Sequence, residues 1–295
     1  MTHVATLICN PRAPALDPAA LERARTALPG AMAPRWLAEG VAADVEYVPL
    51  AGFDARAALA QALGDLPVDI IAQPTLHRRK RLFVADMDST IIEQECIDEL
   101  ADLVGLKAHV AAITERAMRG EIAFEPALRE RVALLRGLDA HVIDRVIAER
   151  ITLTPGARVA LATMRAHGAY TALVSGGFTP FTRKIAQMAG FDENRANELV
   201  VENGHFSGVV AEPILGAQAK LDALSELRAR FALDPAETMA AGDGANDLPM
   251  LQAAGLGVAF HAKPAVAAGA AARLDHGDLT GLLYIQGYAR HDFVV

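Results

Sequence analysis

Cysteine is scarce in this chain: of 295 residues only Cys9 and Cys96 carry a thiol, and they lie far apart. With no CxxC or HExxH spacing, a zinc site is not expected. Two isolated thiols fit a reducing compartment, so a cytoplasmic location is expected. A basic surplus is also lacking. The net charge is -8, which argues against a nucleic-acid partner. It does not argue against a small anion, because a metal and a few local cations can outweigh the global sign. No apolar run is long enough to span a bilayer, so no membrane association is expected. The opening MTHVATLICNPRAP does not read as a signal peptide. The alanine-rich residues 262–272 are interrupted by Lys263, Pro264 and Gly269 and read as a surface-packed helix. What is plentiful is apolar residues, 52% of the chain, enough for a sizeable core in a length that fits two domains.

Residues 1–76 read as strand (3–9), helix (17–28), one or two strands (one at 44–50), helix (54–63) and strand (68–72). Asp17 is placed as an N-cap, with Pro18 at the first helical position. This order predicts a small ferredoxin-like α+β domain. HRRKR, residues 77–81, reads as a solvated linker. An apolar strand at 81–85 then leads into DMDST, residues 86–90. Residues 93–151 show helical 3/4 spacing and no strand. Beyond them strands and helices alternate: helices at 157–167, 181–189, 220–230 and 247–254, strands at 170–174, 238–241 and 257–260, and a hairpin around Asn203-Gly204. The alternation predicts an α/β, doubly wound, mostly parallel sheet. The expected division is 1–76, a core of 77–92 and 152–295, and a helical cap, 93–151, inserted in the core.

In such sheets ligands bind at the carboxyl ends of the strands. Three polar loops fall there: Asp86, Asp88, Ser89 and Thr90; Ser175, Gly176 and Gly177; and Asp243, Gly244, Asn246 and Asp247. Four carboxylates in one crevice would repel one another unless a hard divalent cation intervened, and a histidine-free oxygen site suits Mg²⁺. Asp86 is placed to attack phosphorus, and Asp88, two residues on, to protonate a leaving alkoxide. Ser175 and the amides around Gly176 would hold phosphate oxygens, and Lys220 would add positive charge. Singly, each motif is more often a turn, a cap or a solvent-exposed lysine. Their joint placement at successive strand ends is the signal.

DMDST, the insertion's ECIDELA and FEPALRERVALL, VSGGF, the lysine of AQAK and GDGANDLPM resemble the haloacid dehalogenase superfamily of phosphohydrolases and, within it, the phosphoserine phosphatases. The likeness spans about residues 81–283. It implies hydrolysis of O-phosphoserine to serine and phosphate through an aspartyl-phosphate, closing serine biosynthesis. It also implies Asp86 as nucleophile and metal ligand, Asp88 as general acid/base binding Mg²⁺ through its carbonyl, and Asp243 as a further ligand. Asp247 would support the metal waters or Lys220; Ser175, Gly176 and Lys220 would bind phosphate; Asn246 would contact substrate. Glu95 and Arg131 would engage the amino-acid end, under a lid of Met118 and Phe124. An ammonium needs an anion and a carboxylate suits a guanidinium fork, but spacing alone does not distinguish Glu95 and Arg131 from neighbours such as Glu99 and Arg129. The N-terminal module resembles ACT-like regulatory domains, implying an amino-acid effector or pairing into a homodimer; a plain stabilising spacer is the competing expectation. The functional alternatives are another small phosphomonoester, a phosphotransferase, or a non-catalytic amino-acid sensor.

Overall fold

The computed structural model describes residues 2–295, which fall into two units. The first comprises the chain up to Arg81 together with Pro155–Ala169 and Ala272–Val295; the second is Leu82–Thr154 with Tyr170–Ala271.

In the first unit, strands β1 (His3–Ile8), β2 (Arg35–Ala38), β3 (Ala42–Tyr47) and β4 (Asp69–Pro74) form an antiparallel sheet in the order β2-β3-β1-β4. Helices Pro18–Ala27 and Ala55–Leu63 connect them. Each helix starts where an aspartate accepts a backbone amide: Asp17 from Ala20 at 2.6 Å, and Asp54 from Ala57 at 3.1 Å. Leu21, Ala24, Leu59 and Leu63 pack on Leu7, Val45 and Tyr47 of the sheet. The second middle strand, β2, is thus present, and β3 ends before Val48.

The expectation of a solvated linker at residues 77–81 fails for Arg78 and Lys80, while His77, Arg79 and Arg81 are exposed. Arg78 gives Nη1 to Asp44 Oδ2 (2.8 Å) and Nη2 to Asp44 Oδ1 (2.6 Å) and Thr6 Oγ1 (2.8 Å); Nε bonds the Ile285 carbonyl at 2.8 Å. Arg79 lies 4.3 Å over the Tyr288 ring. Lys80 is buried, which lowers its ammonium to about 8. A basic run reads as surface by composition, but here the buried Asp44 carboxylate and the Tyr284 and Ile285 carbonyls draw Arg78 inward. Asp69 does the same at the other end, accepting the amides of Asp275, His276 and Gly277 at 2.7, 3.1 and 2.8 Å.

The second unit contains β5 (Leu82–Ala85), β6 (Tyr170–Phe178), β7 (Glu193–Asn197), β8 (Leu199–Glu202), β9 (His205–Val210), β10 (Thr238–Gly242) and β11 (Leu256–Phe260). Five of them run parallel in the order β11-β10-β5-β6-β7. β8 and β9 make a hairpin whose turn residues Asn203 and Gly204 both have positive φ. Four helices, Cys96–Asp102, Lys107–Met118, Phe124–Ala133 and Val142–Arg150, occupy the insertion after β5. One face of the sheet is packed by helices: Leu82, Val84, Ala172, Val174, Ala240 and Ala259 meet Leu224, Leu227 and Leu251. The alanine-rich stretch is only partly helical. The helix is Pro264–Gly269, and Ala272–Leu274 is extended.

Candidate active site

Because the five strands are parallel, the loops after β5, β6 and β10 emerge at one edge of the sheet. β5 delivers Asp86, whose Oδ1 accepts the Met87 amide at 2.8 Å. The chain then turns tightly over Met87–Ile91 with Ser89 at φ 54°, a left-handed conformation costing a non-glycine residue about 1 kcal/mol or more. The Ser89 hydroxyl donates to Glu95 Oε1 at 2.7 Å. Asp88 Oδ1 accepts the Cys96 amide at 3.3 Å, where the insertion's first helix begins.

β10 ends in Gly242, followed by Asp243 and a 3-10 turn, Ala245–Asp247. Asp247 Oδ2 accepts the amides of Asp243 and Gly244 at 3.1 and 3.0 Å, and its Oδ1 accepts Lys220 Nζ at 2.6 Å. Lys220 Nζ is also 2.7 Å from Asp86 Oδ1. One buried ammonium therefore joins the loops after β5 and β10. A Cβ on Gly242 would lie 2.4 Å from the Asp247 carboxyl carbon, so no other residue fits there without displacing Asp247.

The expected loop at Ser175–Gly177 is instead the end of β6, extended but with a register shift against β7 between Val174 and Phe178. Ser175 Oγ accepts the Gly177 amide at 2.9 Å. The Phe124 ring rests directly on Gly176, where a Cβ would come within 2.7 Å of Cζ.

Asp86, Asp88, Glu95, Phe124, Arg131, Ser175, Gly176 and Asn246 share the wall of one cleft. Lys220, Asp243 and Asp247 are buried without lining it. The Met118 side chain lies outside the described residues. Gly177 of the second polar loop, with Ile97, Leu128 and Phe178, completes the wall, and the last three were not singled out in the sequence. Leu128 had a signal: it falls four residues after Phe124 and three before Arg131, on one face of helix Phe124–Ala133. The buried side-chain oxygen Asn246 Oδ1 has no partner among the described residues, so a polar group in the cleft would satisfy it.

Burial raises the Asp86 carboxyl to about 7, reinforced by Asp247 and opposed by Lys220. It raises Asp88 to about 6, against the pull of bonds from Cys96 and the charge of Lys220. Burial also lifts Glu95 and Asp243 well above the usual carboxylate range. For Lys220 burial acts downward, but Asp247 and Asp86 outweigh it and the ammonium stays protonated. Both partners of the Lys220–Asp86 pair thus move up, Asp86 mainly through burial with Asp247 reinforcing it, Lys220 through the carboxylates of Asp247 and Asp86. Carboxylates outnumber cations here, a surplus of negative charge.

That surplus is what a divalent cation relieves. Oxygens of Asp86, Asp243 and Asp247, all buried, lie within 4.8 Å of one another. The donors are hard oxygens without histidine or cysteine, which fits Mg²⁺. Both oxygens of Asp247 are already bonded, which leaves Asp86 and Asp243 as the carboxylates able to hold an ion.

Residues 83–252 match the family described as haloacid dehalogenase-like hydrolase. The chain belongs to this family. Among its members, the phosphoserine phosphatase of Albidiferax ferrireducens is 47% identical over 208 residues, 69% of this chain and 88% of that one. The phosphoserine phosphatase of Archaeoglobus fulgidus is 43% identical over 219 residues, 74% of this chain and 63% of that one. The chain thus spans less than two thirds of the length of this second relative. A solved structure described as a substrate-bound phosphoserine phosphatase complex superposes with a TM-score of 0.67 at 37% identity, covering 70% of this chain and 98% of that one.

Proposed function

We propose that this haloacid dehalogenase-like hydrolase cleaves O-phosphoserine to serine and inorganic phosphate, the closing step of serine synthesis. The observation that carries the reading is the composition of one cleft wall. A buried carboxylate paired with Lys220 shares it with an acid, Glu95, and a guanidinium, Arg131, the pair needed for the ammonium and carboxylate of an amino acid. The relatives described above support the same substrate.

A carboxylate oxygen of Asp86 attacks phosphorus in line with the seryl oxygen. The P–O bond to serine breaks as Asp88 gives its proton to the departing alkoxide, leaving phosphate on Asp86. Asp88 then takes a proton from water, whose oxygen attacks phosphorus, and the Asp86 carboxylate is released with inorganic phosphate. A carboxyl raised to about 6 suits both halves of this exchange near neutral pH. Ser175, the Gly176 amide and Lys220 stabilise the equatorial phosphate oxygens. Asn246 gives its free side-chain polarity to the ester. Phe124, resting on Gly176, keeps bulk water from the bond being broken. Asp86, Asp243 and the Asp88 carbonyl would hold Mg²⁺, which when bound supplies charge neutralisation for the phosphoryl group.

The N-terminal strand order β2-β3-β1-β4, with its two helices, supports an ACT-like reading of residues 1–76 and hence an amino-acid effector or a homodimer there. The two free thiols support a cytoplasmic setting. No helix among the described residues is long and apolar enough to cross a membrane. The test is phosphate release from a panel of phosphomonoesters with and without Mg²⁺. O-Phosphoserine should rank first in kcat/KM, and the reading is lost if a sugar phosphate exceeds it.

A further inference from the structure

Arg131 is almost wholly buried, yet only part of its guanidinium is committed. Nε donates to the Ala127 carbonyl at 3.0 Å, one turn back on its own helix, and Nη1 donates to Thr114 Oγ1 at 2.9 Å. Among the described residues Nη2 has no bond. Thr114, itself buried on helix Lys107–Met118, has one hydroxyl proton. It lies 2.9 Å from Asp98 Oδ1 and 3.1 Å from the Val110 carbonyl. Having accepted from Arg131, the hydroxyl passes its proton side to the nearer and charged acceptor, Asp98. Asp98 stands on helix Cys96–Asp102, which begins at Glu95, and its amide bonds the Glu95 carbonyl at 3.1 Å.

We infer that Thr114 and Asp98 are positioning residues that set substrate specificity, holding the Arg131 fork at a fixed span from Glu95. Neither lines the cleft. Resting on the proposed amino-acid substrate, this says how the clamp is made selective. Arg131 and Glu95 come from different helices, so their separation is not set by backbone alone. The chain Arg131 N–H to Thr114 O–H to Asp98 carboxylate connects the two helices through a third. It also locks the rotamers of a long side chain that would otherwise lose entropy on binding. Two uncommitted N–H groups on Nη2 and one on Nη1 then face a carboxylate with the bidentate geometry that guanidinium favours.

The experiment compares O-phosphoserine with O-phosphoethanolamine, which keeps the phosphate and ammonium but lacks the carboxylate. In Thr114→Val the relay is broken at nearly constant volume. KM for O-phosphoserine should rise about tenfold, the scale of one charge-assisted hydrogen bond, with kcat within about twofold and kcat/KM for O-phosphoethanolamine unchanged. Thr114→Ser, which keeps the hydroxyl, should restore KM. Asp98→Asn, which keeps the acceptor but not the charge, should give a smaller rise with the same selectivity. Equal loss on both esters, or no loss on either, overturns the positioning role. A wild-type protein that fails to prefer O-phosphoserine over O-phosphoethanolamine overturns the substrate reading itself. Wild-type preference that survives Thr114→Val overturns only the relay.

Discussion

Lys220 Nζ lies 2.7 Å from Asp86 Oδ1 with both side chains buried, and together with the Met87 amide this contact fixes where the Asp86 carboxylate stands. Its first consequence is separable from catalysis. Asp86→Asn should lower phosphate release on the order of 10⁴-fold or more, as expected when a nucleophile is removed. Because carboxylates outnumber cations around Lys220, the same change removes one repelling charge. The metal-free variant should melt no lower than the parent by calorimetry, whereas a lower melting point would mean that Asp86 stabilises the fold.

The raised carboxyls predict a pH dependence of stability. Folded Asp86 and Asp88 titrate at about 7 and about 6 against an ordinary aspartate value of 3.8. Between these limits the folded state binds more protons than the unfolded state, so their contribution is full below about pH 4 and is lost as pH rises through 6 to 7. The metal-free melting temperature should therefore fall across that window, less steeply in Asp86→Asn. Added Mg²⁺ should raise it more at pH 8 than at pH 5.5, since ligands must be deprotonated. A melting temperature indifferent to Mg²⁺ at both pH values would count against the ion site.

Glu95 should matter for the ammonium alone. Glu95→Gln keeps the shape that receives the Ser89 hydroxyl but not the charge. KM for O-phosphoserine should rise on the order of tenfold, as for one charged hydrogen bond. 3-Phosphooxypropanoate, which keeps the phosphate and carboxylate of O-phosphoserine but lacks the ammonium, should be cleaved as by the parent. Parallel losses on both esters would assign Glu95 to the fold instead.

The N-terminal residues should not be removable as a free module. Deleting residues 1–76 takes Asp44 from Arg78, Asp69 from the amides of residues 275–277 and Gln73 from the Ile285 carbonyl. Losing these contacts uncovers the apolar surface and backbone groups they shield, and a loss of roughly 3 kcal/mol would lower the melting temperature by about 10 °C in a chain of this size. A truncated protein with parental melting behaviour would refute this.

The parallel core was legible because its strands are short apolar runs ending in chemically distinctive loops, and the cap of the first helix because Asp17 precedes it. Strand β7 was not. Glu193-Asn-Arg-Ala-Asn197 lies at the edge of the five parallel strands, where polar side chains are tolerated, and it lacks the apolar run that marks a strand. Residues 77–81 misled for a related reason: composition records charge, whereas burial depends on a partner, Asp44, thirty-four positions away from Arg78. In the site, the residues gathered by the cleft include Asp86, Ser175 and Asn246 from strand ends, but Thr114 and Asp98 speak only through contacts between helices, which no local pattern encodes.

Position 242 shows how narrow the tolerance is. A lone methyl group attached there would contend with a carboxyl for the same volume, and the carboxyl would have to leave, releasing the lysine it steadies. The chain's capacity to hold Asp86 beside its counter-charge thus hinges on a hydrogen atom standing where nearly every other amino acid would put carbon.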